Sequence, residues 1–350
     1  MALTSVHYAS TDTAAPVLTG QIGSLISLLD AVLVNGYGTQ PAAGWTKAYV
    51  ATAQLPNTAV YTMGVGGTGF SMFVNDNSPY GIAKEAAVVG WQTTTGLNTG
   101  TGQFQSQSDA SARGIGSGAP WRKSETADTT PRPWHIFADQ TTMYLLVSTG
   151  NIEGGYNFWM GYMFGDLGGV ATSDNHACLL MGNRISNNTA GYYLNFGNFG
   201  TSTADTELTA QCLAGSADGL RTAIPAGKLF DCQIMGGNYS QTNQQNPGHS
   251  VGPGWNYANP LIFPSPNAAD GSIYMSPVRI FSENSIRGHL KGVWAPLHHR
   301  PLNDGDTFTV ATGNLIGKSF LALNVSTTDG NIVNSNGPGL MVFETSNTWS

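Results

Sequence analysis

Four acids, Asp139, Glu153, Asp166 and Asp174, are of the type that a glycosidase pairs, one carboxyl to protonate the leaving oxygen and one to act as base or nucleophile. Nothing in their spacing sets a separation, and a chain of 350 residues with 21 acids supplies such pairs anywhere, so no catalytic residue is assigned. His176 and Cys178, two apart, and the adjacent His298 and His299 are metal-ligand types. No further Cys or His at normal spacing completes a four-ligand set, and no metal site is expected. Gly64-Val65-Gly66-Gly67-Thr68-Gly69 fits the glycine pattern that lets pyrophosphate approach the head of a helix. The next residues, Phe70-Ser71-Met72-Phe73-Val74, alternate like a strand, so a glycine hairpin is predicted. Gly313 to Ser319 is one residue short of a phosphate loop and runs into the strand-like Phe320-Leu321-Ala322-Leu323, which predicts a strand-to-strand turn. There is no G-x-S-x-G elbow and no H-E-x-x-H helix. These patterns predict a protein without enzymatic activity and without a cofactor.

The densest charge feature is Arg279, Arg287, Lys291 and Arg300, interleaved with His289, His298 and His299 and opposed by the single acid Glu283. Such a segment suits docking to an acidic neighbour, or binding an anion such as a phosphate-bearing glycan. Strand alternation would instead split these side chains between two faces and leave ordinary solvated charge, and both readings stay open. Of the eight tryptophans, most suit core or interface positions. Trp121 and Trp255 lie in loop-like surroundings and are the candidates for surface contact with a sugar.

The elements that must position these groups are mostly strands. One helix is predicted over about residues 20–35, where Ile22, Leu25, Ile26, Leu29, Val32 and Leu33 recur at three-and-four spacing with Leu28 widening the stripe. Thr19 is placed to cap its start and Gly36 to end it. Short strand patterns come next at Ala59–Met63, Gly69–Val74 and Glu85–Thr93, then at His135–Asp139 and Thr142–Ser148. In the last of these Met143, Leu145 and Val147 share one face and Tyr144 and Leu146 the other, so the strand should be central and covered on both sides. More strands are expected at 177–181, 191–196, 228–235, 272–281, 293–297, 307–312, 319–325 and 339–344. The pattern predicts a mainly β protein, a β-sandwich or jelly-roll-like fold with one N-terminal amphipathic helix. Its expected organisation is a helix plus β region over 1–112, a loop or linker over 113–133, and a larger β-sandwich region over 134–350.

Composition narrows the partners. Charged residues are 10% of the chain, against about 25% in ordinary soluble domains, and there are 45 glycines. A surface so poor in charge is weakly defended against association, which favours burial by neighbouring subunits. A net charge of −7 disfavours direct contact with nucleic acid or an anionic membrane. Cys178, Cys212 and Cys232 are an odd set without paired spacing and read as small buried hydrophobes in a reducing compartment. The N-terminal M-A-L-T-S-V-H-Y-A-S lacks a charged leader with an apolar core, and no apolar run approaches bilayer length.

The run Leu18 to Gly38, L-T-G-Q-I-G-S-L-I-S-L-L-D-A-V-L-V-N-G-Y-G, with P-A-A-G-W-T-K from Pro41 to Lys47, resembles a group of virion structural proteins of tailed bacteriophages. G-W-Q-T from Gly90, R-P-W-H-I-F-A-D from Arg132 and I-R-G-H-L-K-G-V-W from Ile286 come in the order that group suggests. The resemblance implies a virion component made in the host cytoplasm, most simply a tail, baseplate or neck subunit. It implies contacts with other virion structural proteins and a homo-oligomer such as a trimer or ring. It carries no active site. A capsid decoration protein is the alternative within that class, and a host-glycan binder or depolymerase the alternative outside it.

Overall fold

The computed structural model describes residues 3–77, 84–104, 118–124, 126–148, 159–182, 211–225, 273, 275–282, 285–296, 302–325 and 340–350. In chain order its strands are β1 (Val6–Ala9), β2 (Thr46–Val50), β3 (Thr58–Thr62), β4 (Ser71–Asn75), β5 (Glu85–Gly96) and β6 (Thr99–Phe104). Then come β7 (Ala119–Arg122), β8 (Trp134–Ala138), β9 (Thr142–Val147), β10 (Met160–Asp166), β11 (Cys178–Met181), β12 (Gln211–Gly215) and β13 (Thr222–Pro225). The last are β14 (Met275–Ser282), β15 (Ser285–Pro296), β16 (Thr307–Thr309), β17 (Ser319–Asn324) and β18 (Leu340–Glu344). One short α-helix, α1 (Ser24–Leu29), lies between β1 and β2.

The strands form three antiparallel sheets. The first runs β1-β8-β9-β10-β11-β12-β13, the second β2-β3-β4-β5-β6 and the third β14-β15-β18-β17-β16. The long β5 takes β7 along Glu85–Val88 and β6 along Gly90–Gly96. The first sheet is the middle layer because both its faces are apolar. Ile136, Leu145, Tyr162 and Leu180 on one face pack with Leu25, Leu29 and Leu33 of the helical segment and with Tyr61, Met72, Phe104 and Trp121 from the second sheet and β7. Phe137, Tyr144, Leu146 and Leu179 on the other face pack with Ile280, Leu290, Leu321 and Phe343 of the third sheet. Strand β9 carries both patterns, with all six residues buried, as the alternation of its apolar residues predicted. Each leucine so covered contributes about 1.5–3 kcal/mol relative to exposure.

The helical segment differs in detail from the expectation for 20–35. The α-helical part is Ser24–Leu29, and Asp30–Asn35 continue as a wider π-helical turn. Leu25, Leu28, Leu29, Val32 and Leu33 are fully buried, whereas Ile22 precedes the helix and is exposed. Thr19 does not cap the helix: its Oγ1 accepts the Gln21 amide instead. The Asp76 carboxylate, at the end of β4, accepts the Leu25 amide at 2.9 Å and supplies the missing acceptor from 51 residues away. Gly36 does end the segment, with φ +76° and ψ 170°, beyond a side chain's comfortable range. The free carbonyls of Val32 and Leu33 are then met by the returning amides of Ala43 and Trp45. The glycine- and proline-rich tail of the opening motif is therefore a folded-back strap. Tyr37 Oη and Gln40 Nε2 both donate to Asp12, Tyr8 Oη donates to the Pro41 carbonyl, and the Trp45 indole donates to the Asp139 carbonyl.

The segment expected as a linker over 113–133 holds β7, and Trp121 on it is fully buried. The regions expected on either side of that segment share one apolar cluster, from Tyr8 to Ala214. The glycine-rich Gly64–Gly69 lies in the connection between antiparallel β3 and β4, and Gly313–Lys318 lies between β16 and β17, both as the strand-like residues after them predicted. The strands expected at 191–196 and 228–235 lie outside the described residues. Among the described residues no helix is long and apolar enough to cross a membrane.

Candidate functional site

The chemistry-bearing residues meet where the three sheets come together. The turn between β8 and β9 places Asp139 with one carboxylate oxygen, Oδ1, accepting the amides of Thr141 and Thr142 and the Thr141 hydroxyl at 2.6–3.0 Å. Its other oxygen, Oδ2, faces Lys291 Nζ of β15 at 3.1 Å, and the same ammonium donates to Thr141 Oγ1 at 2.6 Å. Asp166, at the end of β10, is held from the second sheet: Thr68, in the β3–β4 hairpin, donates its amide at 2.8 Å and its hydroxyl at 2.7 Å. A side chain at Gly67 would overlap that carboxylate, which is a physical reason for the glycine run. Burial pushes the Asp166 carboxyl above its ordinary range, with nearby Asp139 adding to the shift and Lys291 and the Thr68 bonds opposing it. The Trp349 indole covers Gly292, whose φ is +68° within the register shift of the β14–β15 pair, and lies 6.0 Å from Lys291 Nζ.

A second ion pair extends the junction. Arg287 grips Asp174 through Nε at 2.6 Å and Nη2 at 2.9 Å, and Nη2 also donates to the Gly215 carbonyl. Both side chains are nearly dry, at 2% and 3% exposure, so this is a bidentate clamp between β15, the β10–β11 loop and β12. His289, between the two cations on β15, exchanges backbone bonds with Gly168. Burial lowers its pKa first, and Arg279 and Lys291 lower it further, which favours the neutral imidazole.

Three of the four acids singled out by type thus sit at one junction, each with polar partners inside the protein; Glu153 lies outside the described residues. The basic segment divides residue by residue. Arg287 and Lys291 turn inward to Asp174 and Asp139, and neither presents a solvated docking face. Arg279 is half-buried on β14, paired in register with His289. Arg300 lies outside the described residues, as do His298 and His299. Trp121 is corrected from a surface aromatic to a core residue: it is fully buried, stacks on Tyr162 at 5.4 Å and donates its indole N–H to the Met181 carbonyl. Trp255 lies outside the described residues. Cys178 and Cys212 are both buried, and burial raises the Cys178 thiol well above its ordinary range, keeping it protonated. Among the described residues no cluster of three His, Cys, Asp or Glu is arranged to hold a metal ion.

Sequence reasoning missed the buried ion pair of Asp76 and Lys123. Their side chains are 0% and 1% exposed, and Lys123 Nζ contacts Asp76 Oδ1 and the Gln21 carbonyl. Lys123 stands beside Arg122 in the sequence, but its partner lies just past β4, 47 residues earlier. No protein-family model matches the chain, and no curated protein matches it.

Proposed function

We propose that the chain is a non-enzymatic structural subunit of a tailed-bacteriophage particle, associated with its tail, baseplate or neck. The observation that carries this reading is the use made of its reactive side chains. Asp139 with Lys291, Asp174 with Arg287 and Asp166 with Thr68 all tie one sheet or loop to another. A catalytic pair needs one carboxyl presented to substrate, and these are turned to partners within the protein. The low charge and the phage-like motifs along the chain support the same reading, and we place the product in the virion as a homo-oligomer, a trimer or ring, among other virion proteins.

We read the stacked sheets as a β-sandwich enlarged by a third layer. The mostly sequential strand order within the first two sheets supports a sandwich over a jelly roll. A capsid decoration role shares every argument except location. The glycan-binding reading loses Trp121, which has no surface to offer a sugar.

The test is quantitative mass spectrometry of particles purified from lysates of a host producing the phage. The expected result is this chain at a fixed copy number per particle that is a small symmetric multiple. Its absence from intact infectious particles would overturn the reading.

A further inference from the structure

We propose that Asp76 and Lys123 become joined by an intramolecular isopeptide bond, a covalent cross-link across the second sheet. Lys123 Nζ lies against Asp76 Oδ1, with a second contact to the Gln21 carbonyl at 2.5 Å. Asp76 Oδ2 accepts the Leu25 amide at 2.9 Å. Both side chains are sealed from solvent. Two charges held in a dry interior carry a desolvation cost, which mutual attraction offsets only in part. Burial moves both groups toward the forms that react, lowering the lysine pKa so the amine is favoured and raising the aspartate pKa so the neutral acid is favoured. The pairing of opposite charge opposes each shift.

The step balances without a co-reactant. The Lys123 amine attacks Cγ of the Asp76 acid, a C–N bond forms, and the Cγ–Oδ1 bond breaks. Oδ1 leaves as water, taking one proton from the nitrogen and one from the acid, with no change of oxidation state. The Leu25 amide is placed to stabilise negative charge developing on Oδ2 during attack. The product keeps both remaining contacts: the amide oxygen accepts the Leu25 N–H, and the amide N–H faces the Gln21 carbonyl. Two buried charges are replaced by one neutral, hydrogen-bonded group. The bond would fix the residue after β4 to the residue after β7, with the first turn of α1 held beside them by the Leu25 hydrogen bond, which suits a protein that must resist force or proteolysis. It does not rest on the phage reading.

The test is the intact mass of the full chain under denaturing conditions, beside that of Lys123→Arg made in the same way. The expected result is a wild-type chain lighter than its sequence by one water, and a variant at its full sequence mass. Proteolysis of the wild type should release a branched peptide joining the stretches that contain Asp76 and Lys123. A wild-type chain at full mass overturns the proposal, as does a loss of water that persists in Lys123→Arg or maps elsewhere. Because the chain is unfolded for weighing, a poorly folding variant still reports.

Discussion

Arg287 and Lys291 lie four residues apart on one strand, yet removing them should have different costs. Arg287→Met leaves the Asp174 carboxylate, 3% exposed, without its guanidinium and with the His176 amide on Oδ1, and should destabilise by about 3–5 kcal/mol. Lys291→Met leaves Asp139 with three donors on its other oxygen and should cost less, about 1.5–3 kcal/mol. Urea midpoints of the two variants check this, and equal losses would contradict the placement of the two cations. Acid sensitivity belongs to another pair, His7 and His135, whose rings meet at 3.0 Å between Nε2 and Nδ1 on adjacent strands. Burial holds His7 down to about 4 and His135 down to about 3, from 6.5. The unfolded chain therefore binds protons that the folded one refuses. Stability should be full above pH 6.5 and fall progressively between pH 6.5 and about 3, by at most about 3 kcal/mol for His7 and about 5 kcal/mol for His135. The pH slope of the unfolding midpoint should flatten in His135→Phe; an unchanged slope would remove the pair as its source.

The helix shows what local sequence could and could not reveal. Its apolar stripe and its stop at Gly36 were legible because both are set within a few residues. Its start was not, since the acceptor for Leu25 comes from Asp76 rather than from Thr19. Thr19→Ala should thus cost about 0.5 kcal/mol, and Asp76→Ala at least about 3 kcal/mol, with helix signal lost first in the latter. Circular dichroism during denaturation checks the order, and a larger loss from Thr19→Ala would contradict it. Strands β6 and β10 did not stand out in the sequence, where glycines interrupt their alternation. In β6 the sequence Thr99–Phe104 pairs with β5, and the Phe104 ring lies over Gly90 where a side chain would overlap it. Gly90→Ala should destabilise by about 1–3 kcal/mol through overpacking. Strand β9 was read correctly because both its faces are apolar, a pattern that only a doubly covered strand requires. The polar junction was legible only as residue types. Asp139, Asp166, Asp174, Arg287 and Lys291 stood out in the sequence, but which acid meets which cation depends on three sheets converging.

Across the whole molecule the middle sheet belongs to both of its neighbours, so the layers should lose structure together. The cluster running from Tyr8 to Ala214 crosses the boundary that the composition of 113–133 suggested. Calorimetry should show one cooperative transition, and two well-separated ones would contradict the shared core. Asp139, Asp166 and Asp174 are fastened between layers, which supports assembly, the role we propose. A cryo-EM map of the intact phage particle tests that claim most directly. The expected result is density for this three-layered β fold repeated about a symmetry axis in the tail, baseplate or neck, with interfaces on the order of 1,000 Å² or more to neighbouring chains. A fully assigned particle with no such density would contradict it.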